Sequence, residues 1–213
     1  MTRHPSDAAI AAAYDARAAE YVALAGEVEQ MDARDAASIA RWRDDTPGLL
    51  LDAGCGPGHW TAFLAEGDRE VRGVDLSAEF VETARRRHPD IAFDLGSFRE
   101  LPFANGAVGG ILAWYSLIHT PPDDLPAILD EFARVLAPGG RLLLGFFEGG
   151  PREAFAHAVA PAHFWSAEAL GELVQDAGFE LVSGERRARM PGEVSARPHG
   201  SLIARRREGR FRR

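Results

Sequence analysis

The most constraining feature of the sequence is an apolar run that ends in an acid and a series of glycines. Leu49–Gly58 reads Leu-Leu-Leu-Asp-Ala-Gly-Cys-Gly-Pro-Gly. The apolar run predicts a strand buried on both faces, and Trp60–Ala65 predicts a helix after the turn. Glycine lets the backbone approach a ligand, and the start of a helix presents unpaired N–H groups. The segment therefore predicts a strand–turn–helix unit that binds a nucleotide-like ligand.

A second acid follows at the distance that such a fold requires. Val71–Val74 predicts the next strand, and Asp75 ends it 21 positions after Gly54. Doubly wound folds place at this point the carboxylate that binds the hydroxyls of a ribose. In dinucleotide-binding folds the third glycine falls at the position of His59, whereas this chain has it at Gly58. The spacing therefore disfavours a dinucleotide.

Strand and helix signals alternate along the rest of the chain. Ala8–Leu24 and Met31–Trp42 predict two N-terminal helices. Predicted strands then lie near 48–53, 70–75, 90–94, 108–114 and 140–147, and predicted helices near 58–66, 78–87, 124–137 and 166–177. Strands beginning at Gly178 and Ser201 follow, and the Met190–Gly192 turn between them leaves no room for a crossover helix. We expect an α/β fold: a doubly wound, mostly parallel seven-stranded sheet with a C-terminal antiparallel hairpin.

Four motifs together resemble the class I (Rossmann-like) methyltransferases that use S-adenosylmethionine (AdoMet). Asp52–Gly58 matches the family motif D-x-G-x-G-x-G, and Asp75 matches its acid at the end of strand two. Leu101–Phe103 and Arg134–Gly140 match later motifs, the second being the R-V-L-x-P-G-G turn before strand five. The resemblance is close over residues 48–147 and points to small-molecule enzymes of the methyltransferase 11/25 type.

This resemblance implies a single methyltransferase domain over residues 1–213. Its expected parts are an N-terminal helical lid (1–45), an AdoMet-binding core (46–147), and an acceptor-side segment with the C-terminal hairpin (148–213). The implied reaction is methyl transfer from AdoMet to a small molecule, which leaves S-adenosylhomocysteine and uses no metal. Two alternatives remain: a non-catalytic module that binds AdoMet or its product, and a nicotinamide-dependent oxidoreductase. The hairpin ending and the glycine spacing disfavour the oxidoreductase.

The resemblance also implies which residues bind the cofactor. Asp75 is expected to bind both ribose hydroxyls, Asp52 the methionine ammonium directly or through water, and Leu76 the adenine. Ser97 stands where the family often has an acid for the adenine amino group, so either its hydroxyl or the backbone of Phe98 is expected there. Further expected contacts come from the glycine turn, the end of strand four and the lid: Gly54, Cys55, Gly56, Gly58, Ala113, Leu117, Tyr14 and Tyr21.

Four aromatic or imidazole side chains have two interpretations each. Tyr14 and Tyr21 share one face of the predicted first helix, where they either close over the cofactor or pack the helix on the sheet. His119 is the best candidate for a general base, because histidine titrates near neutral pH. Alternatively it braces its loop by hydrogen bonds to the backbone. Tyr115 is the second catalytic candidate, and otherwise belongs to the core.

Composition limits the expected partners. The net charge of −8 disfavours a dedicated nucleic-acid binder. No apolar stretch approaches the ~18 residues of a membrane-spanning helix, and no secretory signal is visible. The single cysteine fits a reducing cytoplasm. We therefore expect a cytoplasmic monomer or homodimer with a small-molecule methyl acceptor, and neither nucleic acid nor membrane as a partner.

The basic residues are unusual both in type and in their distribution along the chain. All 24 are arginine, and with the many alanines this favours a GC-rich, actinobacterial genome. Six arginines lie in Arg205–Arg213, where the basic segment would contact RNA or a membrane, or would simply be a solvated chain end. We favour the solvated end, because terminal segments are commonly frayed.

Overall fold

A computed structural model describes residues 4–189 and 197–208 of the chain. The N-terminal elements are α1 (Pro5–Asp15), α2 (Ala18–Ala25), a 3₁₀ turn (Val28–Gln30) and α3 (Ala33–Asp44). The central elements are β1 (Leu50–Ala53), α4 (His59–Leu64), β2 (Val71–Asp75), α5 (Ala78–Arg87), β3 (Ala92–Leu95), β4 (Val108–Trp114), α6 (Leu125–Val135) and β5 (Leu136–Phe147). The last are β6 (Ala154–Phe155), β7 (Ala162–His163), α7 (Ala167–Asp176), β8 (Phe179–Arg187) and β9 (His199–Arg206). Within these ranges, no helix has both the length and the apolar character needed to cross a membrane.

Seven strands form one sheet in the order β3-β2-β1-β4-β5-β9-β8. The strands from β3 to β5 run parallel, and β9 lies antiparallel between β5 and β8. The predicted doubly wound sheet and its C-terminal antiparallel pair are therefore confirmed. The predicted Met190–Gly192 turn and residues 209–213 of the arginine-rich end lie outside the described residues.

The apolar run of β1 contributes side chains to the core on both faces of the sheet. Leu50 packs with Trp42 of α3 and with α4, whereas Leu51 packs with Phe132 of α6. Successive strand residues point to opposite faces of a sheet, so adjacent leucines must bury against helices on both sides. All four residues of β1 are buried as a result. This places the carboxyl end of β1, with its glycine turn, at the centre of the sheet edge.

Two of the differences from the predicted boundaries have a clear structural cause. The single helix expected over Ala8–Leu24 is two helices, because Arg17 leaves the helical conformation with φ −123°. Its guanidinium bonds to Glu20 in the first turn of α2 and to the carbonyl of Ala158. The fifth strand begins at Leu136 rather than near residue 140, because Leu136 pairs with Val108. A register shift then leaves residues 137–140 out of the pairing, which resumes between Gly110 and Arg141. Neither difference moves the predicted strand ends at the site.

Candidate functional site

A cavity of about 710 Å³ lies at the carboxyl ends of the central parallel strands, the usual ligand position in open α/β sheets. Loops after β1, β2, β3 and β4 form its floor, and the N-terminal helices form part of its roof. Ten of the residues that the sequence pointed to line it: Tyr14, Tyr21, Gly54, Gly56, Asp75, Leu76, Ser97, Phe98, Tyr115 and His119. The structure thus brings eight of the predicted cofactor residues and both catalytic candidates into one cavity.

The glycine turn is shaped for close approach of a ligand. Gly54 has φ +84°, and a Cβ atom there would lie 2.2 Å from the Cβ of Ser116, so no other residue fits. The Ser116 hydroxyl is buried, lines the cavity and has no hydrogen-bond partner among the described residues. Because buried hydroxyls are normally paired, this group indicates a polar ligand at the glycine turn.

Asp75 is held rigidly at the cavity wall. One carboxylate oxygen accepts the Gly56 N–H at 2.9 Å, and the other accepts the Ser77 N–H at 2.8 Å. Burial raises the pKa of Asp75 to about 6, against the opposing effect of these backbone hydrogen bonds. Ser77 caps α5 by accepting the Phe80 N–H, so Asp75 is not needed as the helix cap. A carboxylate has about four lone-pair positions, so Asp75 keeps capacity for a ligand hydroxyl beside the backbone N–H groups of Gly56, Ser77 and Leu76.

Asp52 does not reach the cavity lining. Its carboxylate is buried beside α4, where it accepts the Thr61 hydroxyl at 2.7 Å. Burial raises its pKa to about 7, with the Asp75 charge acting in the same direction and the Thr61 hydrogen bond opposing it. Of the two contacts expected for Asp52, the structure leaves the one mediated by water or by other groups.

Four more expected cofactor residues lie outside the cavity lining: Cys55, Gly58, Ala113 and Leu117. Cys55 is buried against α5 and β3, and Ala113 and Leu117 belong to the core between the sheet and α6. Gly58 instead starts α4 with φ +90°. The chain turns sharply after β4, so Ser116 lines the cavity while Leu117 points into the core. The structure gives these four residues packing or turn roles, and their contacts with a cofactor stay predictions.

Helix α1 is fastened across the carboxyl ends of three strands. Each bond joins an α1 side chain to a residue beyond a strand: Asp15 to Ser77 (2.5 Å), Asp7 to Ser97 (2.5 Å) and Tyr14 to His119 (3.0 Å). The Tyr14 and Tyr21 rings contact each other and Phe80 while lining the cavity. The same two rings therefore pack the helices and form part of the cavity roof. The packing and lid interpretations of these tyrosines are thus compatible.

Binding of S-adenosylhomocysteine is expected to slow amide hydrogen exchange across residues 8–24. Tyr14 and Tyr21 would gain a ligand surface, and a roof that contacts ligand opens less often. Exchange in α7, which has no residue in the cavity lining, serves as the internal control. Equal protection of residues 8–24 with and without ligand would show that the helices are packed structure alone.

Both ring nitrogens of His119 are engaged. Nδ1 lies 2.9 Å from the carbonyl oxygen of Pro161, which can only accept, so Nδ1 carries the hydrogen. In the neutral ring, Nε2 then accepts the Tyr14 hydroxyl. Burial lowers the pKa of His119, which favours this neutral form. The contacts support the bracing role of His119, which connects helix α1 to the segment before β7 through these two hydrogen bonds.

Tyr115 and His199 form a second polar pair in the cavity. The Tyr115 hydroxyl lies 2.6 Å from His199 Nδ1, and its ring packs on Phe147 with centroids 5.0 Å apart. Tyr115 has φ +54°, a conformation that costs a non-glycine residue free energy and often marks a functional site. His199 was not predicted from the sequence, because only the antiparallel pairing of His199 with Phe147 brings it to the site.

Aromatic and cationic side chains surround this pair. Arg187 is paired with Asp35 at 2.6 Å, and the Arg197 guanidinium lies 4.2 Å from the centroid of the Phe155 ring. The ring of His157 stacks edge-on against His119, and burial lowers its pKa to about 4. This end of the cavity therefore offers flat apolar surfaces with hydrogen-bonding edges. The described part of the chain contains no group of three or more side chains that could hold a metal ion.

Comparisons with known proteins agree with this geometry. Residues 50–140 match the family described as "Methyltransferase domain". The biotin biosynthesis bifunctional protein BioHC of Cellvibrio japonicus is 30% identical over 182 residues, which are 82% of this chain and 36% of that protein. The structure of 1,6-didemethyltoxoflavin-N1-methyltransferase from Burkholderia thailandensis, with bound 1,6-didemethyltoxoflavin and S-adenosylhomocysteine, has a TM-score of 0.74 and 26% identity. That likeness covers 98% of this chain and 93% of the other.

Two facts determine what can be inferred from these similarities. This chain spans about a third to a half of the length of the curated relatives it matches. The [4+2]-cyclase SpnF has a TM-score of 0.79 with 20% identity, covering 98% of this chain and 99% of the cyclase. At that identity the likeness concerns the fold alone. The reaction must therefore be argued from the side chains in the cavity.

Proposed function

We propose that the chain is a class I, AdoMet-dependent methyltransferase and that it methylates a small planar heteroaromatic acceptor. The observation that carries this proposal is the continuity of the cavity. One end has the glycine turn and Asp75, and the other has Tyr115, His199 and Phe147. A cofactor and an acceptor could thus meet in one space without crossing solvent.

The residues at the first end fit AdoMet. Asp75 offers lone pairs to the ribose hydroxyls, Gly54 and Gly56 let the backbone approach, and Ser116 supplies an unsatisfied hydroxyl. Bound AdoMet supplies an electrophilic methyl group on a sulfonium. The protein contributes alignment and exclusion of water, which α1 and its three bonds across the strand ends would provide.

The residues at the second end fit a flat acceptor with an ionisable N–H or O–H group. Trp114, Tyr115 and Phe147 present aromatic surfaces, and such rings stack well on planar ligands. A nucleophile that arrives protonated must lose its proton. The Tyr115 hydroxyl can accept that proton while it passes its own proton to Nδ1 of His199, which lies 2.6 Å away. The bound ligand of the Burkholderia enzyme, 1,6-didemethyltoxoflavin, supports a heteroaromatic acceptor. The acidic net charge supports a small molecule over nucleic acid.

Isothermal titration with S-adenosylhomocysteine and with NAD tests the cofactor assignment. We expect S-adenosylhomocysteine to bind more tightly, because the third glycine is at position 58, one position earlier than in dinucleotide-binding folds. Asp75 lines the cavity, where it can hold a ribose. Tighter binding of NAD would contradict the proposal and favour the oxidoreductase alternative.

Methyl transfer itself is tested with methyl-labelled AdoMet and a panel of heteroaromatic compounds that carry ring N–H or hydroxyl groups. Label is expected to appear in at least one of them, and a matched panel of aliphatic amines and alcohols is expected to remain unlabelled. Tight binding of S-adenosylhomocysteine without transfer to any compound would favour the non-catalytic binding module.

A further inference from the structure

Helix α1, in the predicted N-terminal lid, places the carboxylate of Asp7 in the cavity beside the loop that follows β3. Asp7 is only 7% exposed and lines the cavity together with Ser97 and Phe98. Its Oδ2 accepts the Ser97 hydroxyl at 2.5 Å, and its Oδ1 accepts Nε of Arg99 at 3.2 Å. Arg99 is held in turn by Asp124 at 2.7 Å. The position of this acid is therefore fixed by contacts from both sides.

The Asp7 carboxylate has capacity left for a ligand. A carboxylate has about four lone-pair positions. Among the described residues, Oδ2 accepts a hydrogen bond only from Ser97, whereas Oδ1 faces Arg99 and the hydroxyl of Ser6. Asp7 can thus accept one more hydrogen bond on Oδ2, and the group that fits this position is a donor.

The order of the strands indicates which part of the ligand lies there. The sheet runs β3-β2-β1, with Ser97 after β3, Asp75 after β2 and the glycine turn after β1. A nucleoside whose ribose is held at Asp75, with its sulfur-bearing chain over the glycine turn, must direct its base towards β3. The base therefore lies at Ser97 and Asp7. The exocyclic amino group of adenine is a hydrogen-bond donor, which matches a carboxylate.

We propose that Asp7, carried by the lid helix α1, recognises the adenine amino group of the cofactor. This inference rests on the proposed AdoMet function. The residue that distinguishes adenine from other purines then belongs to the roof of the cavity rather than to the loop after β3, where Ser97 stands. Cofactor binding and docking of α1 consequently become one event, because the same carboxylate fastens the helix and contacts the base.

The test compares two ligands that differ at this edge of the purine. S-Adenosylhomocysteine has the amino group and an N1 that accepts, whereas S-inosylhomocysteine has a carbonyl oxygen and an N1–H that donates, so the change of preference on substitution of Asp7 is the quantity that reports on Asp7. Wild-type protein is expected to prefer the adenosyl ligand by ~10-fold or more in isothermal titration, the contribution of one charge-assisted hydrogen bond. In Asp7→Asn this preference is expected to fall by at least ~10-fold, because an amide can donate to the carbonyl as well as accept from the amine.

Asp124→Asn is the matched control. It removes a partner of the same Arg99 but lies outside the cavity lining, so the ratio of the two affinities should stay at the wild-type value. A wild-type protein that binds both ligands equally would overturn the inference, as would equal weakening of both ligands by Asp7→Asn, which would leave Asp7 as a fastening for the helix. Failure of wild-type protein to bind S-adenosylhomocysteine at all would instead refute the proposed function.

Discussion

Replacing Tyr115 by phenylalanine is expected to lower the turnover of methyl transfer by ~10²–10⁴-fold, the usual contribution of a general base. The change removes only the hydroxyl that lies 2.6 Å from His199, and it keeps the ring that packs on Phe147. Affinity for S-adenosylhomocysteine is expected to stay nearly unchanged, because that hydroxyl lies at the acceptor end. The measurement is the rate of labelled methyl transfer to the first acceptor identified in the panel, determined over a range of pH.

Three further variants separate this pair from His119. His199→Phe should reduce turnover by a similar factor, and the double variant should be little slower than either, because residues that act as a unit are not additive. His119→Asn should mainly weaken cofactor binding, since it disturbs the bond to Tyr14 that fastens the roof. A fully active Tyr115→Phe, together with an inactive His119→Asn of unchanged cofactor affinity, would assign the base to His119.

Asp75→Ala is expected to weaken binding of S-adenosylhomocysteine by at least ~10-fold while the protein remains folded. The carboxylate would hold two ribose hydroxyls, and hydrogen bonds to a charged group contribute ~1.5–3 kcal/mol each. A loss of ~1.4 kcal/mol already changes the dissociation constant tenfold. Isothermal titration gives the affinity, and thermal unfolding checks the fold. Asp94→Ala is the control, because Asp94 also lies near the end of a strand but pairs with Arg72 outside the cavity.

The pH dependence of binding provides a second measurement on Asp75. Its pKa in the folded protein is about 6, raised by burial, and the ribose hydroxyls bind best to the ionised form. Lowering the pH through 6 protonates the carboxyl group and should weaken binding, by up to ~10-fold per pH unit for one coupled proton. The Asp75→Asn variant should lose this dependence. An affinity that does not change between pH 7.5 and 5 would argue that Asp75 does not bind the ribose.

The parts of the site that follow a strand could be predicted from the sequence. Gly54, Gly56 and Asp75 line the cavity because the carboxyl ends of parallel strands meet at one edge, and the strands themselves are visible as apolar runs. Ala113 and Leu117 were placed there by the same reasoning, but they point into the core. The direction of a side chain beyond a strand depends on the local turn, and the positive φ of Tyr115 is not marked by any residue type.

The sequence by itself determined the doubly wound sheet, the glycine turn and the acid of the second strand, because these depend on periodicity and spacing within a few tens of residues. Only the tertiary structure decided which side chains meet across the cavity. Asp7 reaches Ser97 over 90 positions, Tyr14 reaches His119 over 105, and Tyr115 reaches His199 over 84. These contacts arise from the docking of α1 and from the insertion of β9 beside β5, and both depend on packing between distant segments that no local pattern encodes.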